Sequence, residues 1–270
     1  MTATMHALQE SAHGRDHDYV TGSPHLQHAR LNGWMRDTLN GVVAALADRS
    51  AARPRVLEVG AGHGPFTETL LAAGAEVVVT EMSAPSAEHL RARFRHNPLV
   101  QVVHDCDGDL SGPPDVDLVV FMSVLHHIPD YLAALRAAAD RVRPGGALIS
   151  FQDPLQYSTQ SRRSRALAKA ATLAWRVGQG DVTRGVRTQI RRLRGVYDTA
   201  NPSDMSEYHC VRDGVDSAAV AALLAERFGT VSLHPYWSTQ ATWAQSLGAR
   251  LAPANTFGVV ALDRRSSTLG

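Results

Sequence analysis

Residues 55–65 read RVLEVGAGHGP, and the architecture of the chain can be worked out from them. The first five residues are mostly apolar and run into a glycine-rich segment, which predicts a buried strand followed by a tight turn. Pro65 then opens a helical pattern that reaches Ala73, since proline suits the first turn of a helix. Strand, glycine turn and helix in this order are typical of the first βα unit of a ligand-binding α/β domain.

Strands and helices continue to alternate through the rest of the chain. A helical pattern covers 26–46, and further strands and helices are predicted at 75–82, 84–95, 100–105, 117–124, 129–142, 147–154, 215–228, 230–237 and 256–264. This spacing predicts a doubly wound, Rossmann-like α/β fold with a seven-stranded, mostly parallel sheet. Ligands bind such sheets beyond the carboxyl ends of the strands.

We expect four parts along the chain. Residues 1–52 form an N-terminal tail and a helical lid, 53–154 a ligand-binding core, 155–212 a helical cap insertion, and 213–270 the last part of the sheet. The cap carries eleven basic and four acidic residues, whereas the whole chain has a net charge of +1. This excess indicates either a solvated helical face or a surface that attracts an anionic partner. Its aromatic residues could line a pocket; they are Tyr157, Trp175, Tyr197 and Tyr208.

Composition excludes several classes of function. The net charge of +1 gives no chain-wide basic surface for nucleic acid. Two distant cysteines, Cys106 and Cys210, provide neither a disulfide framework nor a metal-binding knuckle. The N-terminus is polar, and no apolar run approaches the roughly 20 residues of a membrane helix. We therefore expect a cytoplasmic protein without a metal, membrane or nucleic-acid partner, and the sequence leaves open whether it forms a homo-oligomer.

Acidic residues stand at the ends of the first three predicted strands. Glu58 precedes a G-x-G-x-G loop at 60–64, whereas a dinucleotide-binding loop has G-x-G-x-x-G spacing and holds a pyrophosphate. An acid at this position disfavours a pyrophosphate but suits the cationic end of an amino acid. Glu81 could accept both hydroxyls of a ribose, and Asp105 could receive an adenine amino group.

These motifs together resemble those of class I S-adenosylmethionine (SAM)-dependent methyltransferases. The segment E-V-G-A-G-H-G is similar to the family's first motif, and Glu81, Asp105–Cys106, the strand DLVVFMSVLHHIPD and the turn RPGG resemble the later motifs in order. The resemblance covers about residues 55–154. It implies SAM as cofactor and S-adenosylhomocysteine (SAH) as product.

The resemblance also assigns cofactor contacts. It implies that the segment from Glu58 to Gly62 lines the methionine portion of SAM, with ribose, adenine and the remaining contacts at later positions. The residues implied are Glu58, Gly60, Ala61, Gly62, Glu81, Met82, Asp105, Cys106, Met122 and Ser123. In many relatives an aromatic residue of the N-terminal segment covers SAM, which makes Tyr19 and His25 lid candidates. The alternative is a capped surface helix with Ser23 as the cap and Pro24 in the first turn.

Candidate catalytic residues follow the fourth and fifth strands. Related enzymes carry a polar residue at the first position of the pair His126–His127, which favours His126 as a general base. Adjacent side chains at a helix start are expected to point apart, so His127 should pack behind the strand. Both histidines could instead be structural, since alignment and desolvation can suffice. Asp153, after Gln152, either contacts substrate or belongs to a plain turn.

The predicted function is SAM-dependent O-, N- or C-methylation of a small-molecule acceptor, in bacterial specialised metabolism. Fold alone does not select the methylated atom. A nicotinamide-dependent oxidoreductase is one alternative, against which Glu58 and the glycine spacing argue. A non-catalytic SAM-binding module is the other. An N-P-P-Y tetrad, often found after the fourth strand in amino-methylating nucleic-acid enzymes, is replaced here by SVLH at 123–126.

Overall fold

A computed structural model describes residues 23–50, 52–105, 114–178 and 214–266. The helices in these ranges are α1 Pro24–Gln27, α2 Ala29–Arg49, α3 Pro65–Ala72, α4 Ala84–Arg93, α5 Tyr131–Arg141, α6 Arg162–Gly178, α7 Ser217–Ala225 and α8 Thr242–Leu251. The strands are β1 Arg55–Val59, β2 Glu76–Glu81, β3 Val100–His104, β4 Val116–Met122, β5 Val142–Pro154, β6 Phe228–Tyr236 and β7 Thr256–Arg264. A short 3-10 turn, Leu125–His127, follows β4.

The seven strands form one sheet in the order β3-β2-β1-β4-β5-β7-β6. Strand β7 runs antiparallel to both of its neighbours, and the remaining pairs are parallel. The predicted Rossmann-like fold with a mostly parallel sheet is therefore confirmed. The chain order reverses between the adjacent strands β1 and β4, and such a switch point opens a crevice at the carboxyl ends of the strands.

Helices cover both faces of the sheet, which explains why every residue of β4 is buried. One hydrophobic cluster joins α5 and α7 to the sheet through residues such as Leu57, Leu135 and Leu224. The other joins α2, α3 and α4 to the opposite face and contains Val56 and Leu39. Because successive strand residues point to opposite faces, the neighbours Val56 and Leu57 of β1 belong to different clusters.

Helix α8 was not predicted from the sequence. Its large apolar residues are exposed, whereas Gln245 is buried and makes hydrogen bonds to the backbone at Trp237 and Thr239. The apolar pattern is therefore reversed relative to that of an ordinary amphipathic helix. Strand β5 also starts at Val142, earlier than the predicted residue 147. The RPGG segment at 143–146, predicted from the sequence as a turn, instead lies within β5, where the pairing with β4 is irregular between the pairs Val116–Val142 and Leu118–Ala147.

The described part of the chain contains no helix that is long and apolar enough to cross a membrane. Within the same ranges, no group of three or more histidine, cysteine, aspartate or glutamate residues is arranged to hold a metal ion.

Candidate active site

Three buried carboxylates line the carboxyl edge of neighbouring strands. Glu58 lies in β1, Glu81 ends β2, and Asp105 directly follows β3. The relative exposures of these residues are 1%, 8% and 5%. Burial of a carboxylate is costly unless hydrogen-bond donors or positive charges compensate for the lost water. The arrangement therefore suits a ligand that brings an ammonium group, hydroxyls and an amino group to three successive strands.

Hydrogen bonds link the glycine loop at 60–64 to strand β2. Gly60 and Gly62 have φ angles of +65° and +57°, in the left-handed region that residues with a Cβ rarely adopt. The Gly60 N–H donates to the Thr80 carbonyl at 2.8 Å, and the Gly62 N–H donates to Glu81 Oε2 at 3.0 Å. The other Glu81 oxygen accepts from the Ser83 N–H at 3.1 Å. The glutamate thus fixes the loop while its remaining lone pairs can still accept from a ligand.

Glu58 is the most deeply buried of the three carboxylates. Its Oε2 accepts a hydrogen bond from the Thr67 hydroxyl at 2.5 Å. Burial raises the Glu58 pKa from 4.5 to about 7; the Thr67 hydrogen bond opposes this shift, and the negative charge of Glu81 adds to it. Burial likewise raises the Glu81 pKa, against the hydrogen bonds from the Ser83, Gly62 and Met82 amides. Burial therefore favours the protonated form of Glu58 unless a positive charge compensates the carboxylate.

His126 and Asp153 form a hydrogen-bonded dyad at the ends of β4 and β5. The His126 Nδ1 and Asp153 Oδ1 atoms are 2.9 Å apart, and the His126 backbone N–H donates to the same oxygen at 3.1 Å. Asp153 is fully buried, and its Oδ2 accepts from the Ser150 hydroxyl at 2.7 Å. The His126 side chain is 20% exposed. A carboxylate at Nδ1 favours the tautomer that carries its proton there, so Nε2 keeps a lone pair.

Unusual backbone geometry at the ends of β4 and β5 brings His126 and Asp153 together. Ser123, just after β4, and Gln152, in β5, have φ angles of +64° and +69°. The pairing of β5 with β7 shifts register between Ser150 and Asp153. Side chains three positions apart in a regular strand point to opposite faces, but this bulge lets Ser150 hydrogen-bond to Asp153. Asp153 also pairs with Phe257 in the sheet, so it does not belong to a plain turn.

The predicted orientation of His127 is wrong. Instead of pointing away behind the strand, its ring lies against that of His126, with centroids 4.0 Å apart and planes tilted by 41°. The reason is the 3-10 turn. Leu125 takes the inward position and is fully buried, so both histidines are left half-buried at the carboxyl edge of the sheet.

His25, a lid candidate, is buried next to the glycine loop. Its ring stacks on Phe66 in the first turn of α3, with centroids 5.9 Å apart, and its carbonyl accepts from the Asn32 side chain. Burial, and then the charge of His126, lowers the His25 pKa to about 4, so the ring is neutral at physiological pH. Ser23 precedes the helix without a side-chain capping bond. Because His25 is buried, α1 is not the surface helix of the alternative interpretation.

The other predicted site residues are distributed as follows. Ala61 and Met122 lie on either side of the switch point, and Met82 directly follows β2, where its carbonyl is 3.1 Å from His104 Nε2. Tyr19 and Cys106 lie outside the described residues. Sequence reasoning missed Thr67 and Ser150, the partners of Glu58 and Asp153. Small hydroxyl residues in a helix and a strand carry no sequence signal that marks them as such partners.

The family described as "Methyltransferase domain" matches residues 31–190, which is more than half of the chain. The protein belongs to this family. It is a SAM-dependent methyltransferase, and the family, enzyme class and cofactor expected from the motifs are confirmed.

Curated relatives of the methyltransferase include ubiquinone biosynthesis O-methyltransferases. The protein from Aromatoleum aromaticum is 28% identical over 181 residues, which cover 65% of this chain and 70% of that protein. One from Xanthomonas campestris pv. campestris is 32% identical over 121 residues, 43% of this chain and 47% of that protein. The chain therefore aligns with only about half the length of the Xanthomonas relatives.

Solved structures agree on the fold. The N-methyltransferase NodS from Bradyrhizobium japonicum WM9, in complex with SAH, has a TM-score of 0.55 at 13% identity, covering 98% of this chain and 100% of that one. Magnesium protoporphyrin IX methyltransferase (ChlM) from Synechocystis PCC 6803, with bound SAH, has a TM-score of 0.51 at 14% identity, covering 98% and 95%. At these identities the likeness concerns the fold alone.

The residues at the cleft fit SAM chemically. The amino-acid end of SAM carries an ammonium that a buried glutamate such as Glu58 can compensate, and the two ribose hydroxyls match the spare lone pairs of Glu81. A side chain at Gly60 would crowd Val124, which follows β4, since its Cβ would stand 3.0 Å from Val124 Cγ2. Glycine therefore suits this position of the loop better than a residue with a side chain does.

We expect SAH affinity to depend on pH through Glu58. Because the ammonium pairs best with ionised Glu58, whose pKa is about 7 in the free protein, the dissociation constant should rise as pH falls below 7. The limiting slope is about tenfold per pH unit. Calorimetric titrations of wild type and Glu58→Gln with SAH at about pH 5.5 and about pH 8 test this. Glu58→Gln should bind SAH weakly, with a dissociation constant that does not change with pH in this way. An equal pH dependence in both proteins would mean that another group causes it.

The same carboxyl makes the stability of the ligand-free protein depend on pH. Between pH 4.5 and about 7 the folded protein keeps the Glu58 proton that the unfolded chain releases, because the folded pKa is the higher one. The contribution is fully present below 4.5 and is lost as pH rises through 7, by about 3 kcal/mol in total. In Glu58→Gln, the free energy of unfolding measured with denaturant should not show this loss between pH 4.5 and about 7. A variant that keeps the wild-type loss would contradict the assignment.

Proposed function

We propose that the methyltransferase methylates a hydroxyl oxygen of a small-molecule acceptor, with His126 as general base. The observation that carries this proposal is the His126–Asp153 hydrogen bond of 2.9 Å at the carboxyl edge of the sheet. A histidine whose Nδ1 is fixed by a buried carboxylate presents Nε2 as a proton acceptor. The dyad stands at the end of β4, next to the strand that carries the glycine loop.

The chemistry assigns a separate task to each residue. When bound, SAM supplies a methyl group activated by a positively charged sulfur. A neutral hydroxyl is a weak nucleophile, so His126 Nε2 takes its proton as the oxygen attacks. Asp153 stabilises the imidazolium that results and holds the ring in place, while Ser150 and the His126 backbone amide keep the carboxylate oriented. Neutral His25 adds no competing positive charge to this site.

The curated relatives aligned above support oxygen as the methylated atom, since they are named ubiquinone biosynthesis O-methyltransferases. We infer further that the acceptor belongs to bacterial specialised metabolism and not to ubiquinone biosynthesis. Low identity to the ubiquinone enzymes supports this, as does the helical insertion that the sequence predicts at 155–212.

An anionic group on the acceptor is part of the same proposal. The start of α6, within the insertion, exposes Arg162, Arg163 and Arg165, and its first turn has no acidic residue. Such a surface attracts anions over about 10 Å at moderate salt. Of the aromatic residues predicted to line a pocket, Tyr157 is exposed and Trp175 is half-buried on α6, whereas Tyr197 and Tyr208 lie outside the described residues.

Methyl-labelled SAM identifies the methylated atom directly. The enzyme is incubated with a panel of phenols, hydroxy acids, primary amines and 1,3-dicarbonyl compounds, and each labelled product is assigned by NMR. We expect label on oxygen, at rates that fall in Asp153→Asn, where the carboxylate charge is lost. Label found only on nitrogen or carbon would refute oxygen methylation. Reactions without enzyme give the background.

A further inference from the structure

Gln152 stands directly before Asp153 in an unusual backbone conformation. Gln152 has a φ of +69°, and it lies within the register shift between Ser150 and Asp153 in β5. The left-handed region is unfavourable for a residue with a Cβ and persists only where surrounding contacts hold it. If Gln152 relaxed to an extended conformation, the bulge would straighten. The Asp153 carboxylate would then turn away from His126.

Tyr236 supplies the contacts that hold this conformation. The Gln152 N–H donates to the Tyr236 hydroxyl oxygen at 2.9 Å, and the same hydroxyl donates to Gln152 Oε1 at 3.1 Å. Both the backbone and the side chain of Gln152 are thus bound to a single atom. Gln152 Nε2 donates separately to the Ser238 hydroxyl at 2.7 Å.

The hydroxyl reaches the bulge from two strands away. Tyr236 ends β6 and pairs with Thr256 of β7, which pairs in turn with Pro154 of β5. Trp34 packs edge-on against the Tyr236 ring, with centroids 5.2 Å apart, which fixes the ring over β7. Desolvation raises the Tyr236 pKa well above 10; the Gln152 amide opposes this shift, and the negative charge of Asp153 adds to it. The hydroxyl therefore keeps its proton and stays a donor to Gln152.

We propose that Tyr236 is a positioning residue of the methyltransferase: its hydroxyl holds Gln152 in the left-handed conformation that directs Asp153 to His126. The inference rests on the proposed function, because it concerns the same dyad. Tyr236 acts through Gln152 and Asp153, and it does not need to contact the acceptor. Its contribution is to the tautomer and orientation of the His126 ring.

The tautomer of His126 can be measured by ¹⁵N NMR on the full chain, at a pH where imidazoles are neutral. We expect the Nδ1–H form in the wild type and its loss as the major form in Tyr236→Phe, which keeps the ring but removes the hydroxyl. Turnover should fall with little change in KM. Ser238→Ala is the matched control, since it removes only the amide contact of Gln152 and should keep the wild-type tautomer.

A second variant separates positioning from general stability. Glycine adopts a φ of +69° without strain, so Gln152→Gly combined with Tyr236→Phe should restore the Nδ1–H form. A wild-type tautomer in Tyr236→Phe, or no recovery in the double variant, would overturn the role of Tyr236. If Tyr236→Phe fails to fold, the double variant alone decides by the same criterion. An Nε2–H tautomer in the wild type would instead refute the dyad and with it the proposed general base.

Discussion

His126→Ala is expected to lower turnover by about 10²–10⁴-fold, the usual contribution of a general base. The variant removes the nitrogen that takes the acceptor's proton, but it leaves the carboxylates and the glycine loop of the cofactor site in place. The dissociation constant of SAH should therefore stay near the wild-type value. Steady-state assays with labelled SAM measure turnover, and calorimetry measures SAH binding.

The neighbouring histidine provides a matched control. His127 has a ring of the same type, 4.0 Å from that of His126, whereas the 2.9 Å hydrogen bond to Asp153 Oδ1 is made by His126 Nδ1. His127→Ala should reduce turnover far less. Wild-type turnover in His126→Ala would mean that the enzyme works without this base.

Glu81→Ala should weaken SAH binding by about 10²–10⁴-fold. Two hydrogen bonds from the ribose to a carboxylate are lost, each worth about 1.5–3 kcal/mol. The Gly62 and Ser83 amides, which donate to Glu81 at 3.0 and 3.1 Å, also lose their acceptor, so the glycine loop becomes less ordered. Calorimetric titration with SAH measures the effect.

Glu76→Ala is the control for Glu81→Ala. Glu76 starts the same strand at its opposite end, where it is exposed and lies 3.8 Å from Arg55. Removing it deletes the same carboxyl group away from the cleft and should leave SAH affinity unchanged. An SAH affinity of Glu81→Ala within about twofold of wild type, well below the expected loss, would place the ribose elsewhere.

Much of the cofactor side of the site could be predicted from the sequence because it depends on local order. Each acid lies at or just after the carboxyl end of its own strand, so finding the strands also placed Glu58, Glu81 and Asp105 at one edge of the sheet. The glycine spacing marked the loop for a similar reason. Positive φ angles such as those of Gly60 and Gly62 are usually occupied by glycine, so the sequence itself indicates them.

The acceptor side depends on contacts between distant segments, which composition and periodicity do not reveal. His126 and Asp153 are 27 positions apart, and Tyr236 reaches Gln152 over 84 positions. The bulge at Gln152 could not be anticipated, because a glutamine carries no signal for a positive φ. The orientation of His127 was mispredicted for a related reason: the burial of Leu125, and not a regular helix, directs the turn.

A crystal structure of the methyltransferase with SAH tests the central claim most directly. We predict that the ribose hydroxyls bind Glu81, that the amino-acid end lies along the glycine loop beside Glu58, and that the sulfur faces His126 across a space open to the acceptor. SAH bound outside this cleft, or a sulfur separated from His126 by protein atoms, would contradict the account.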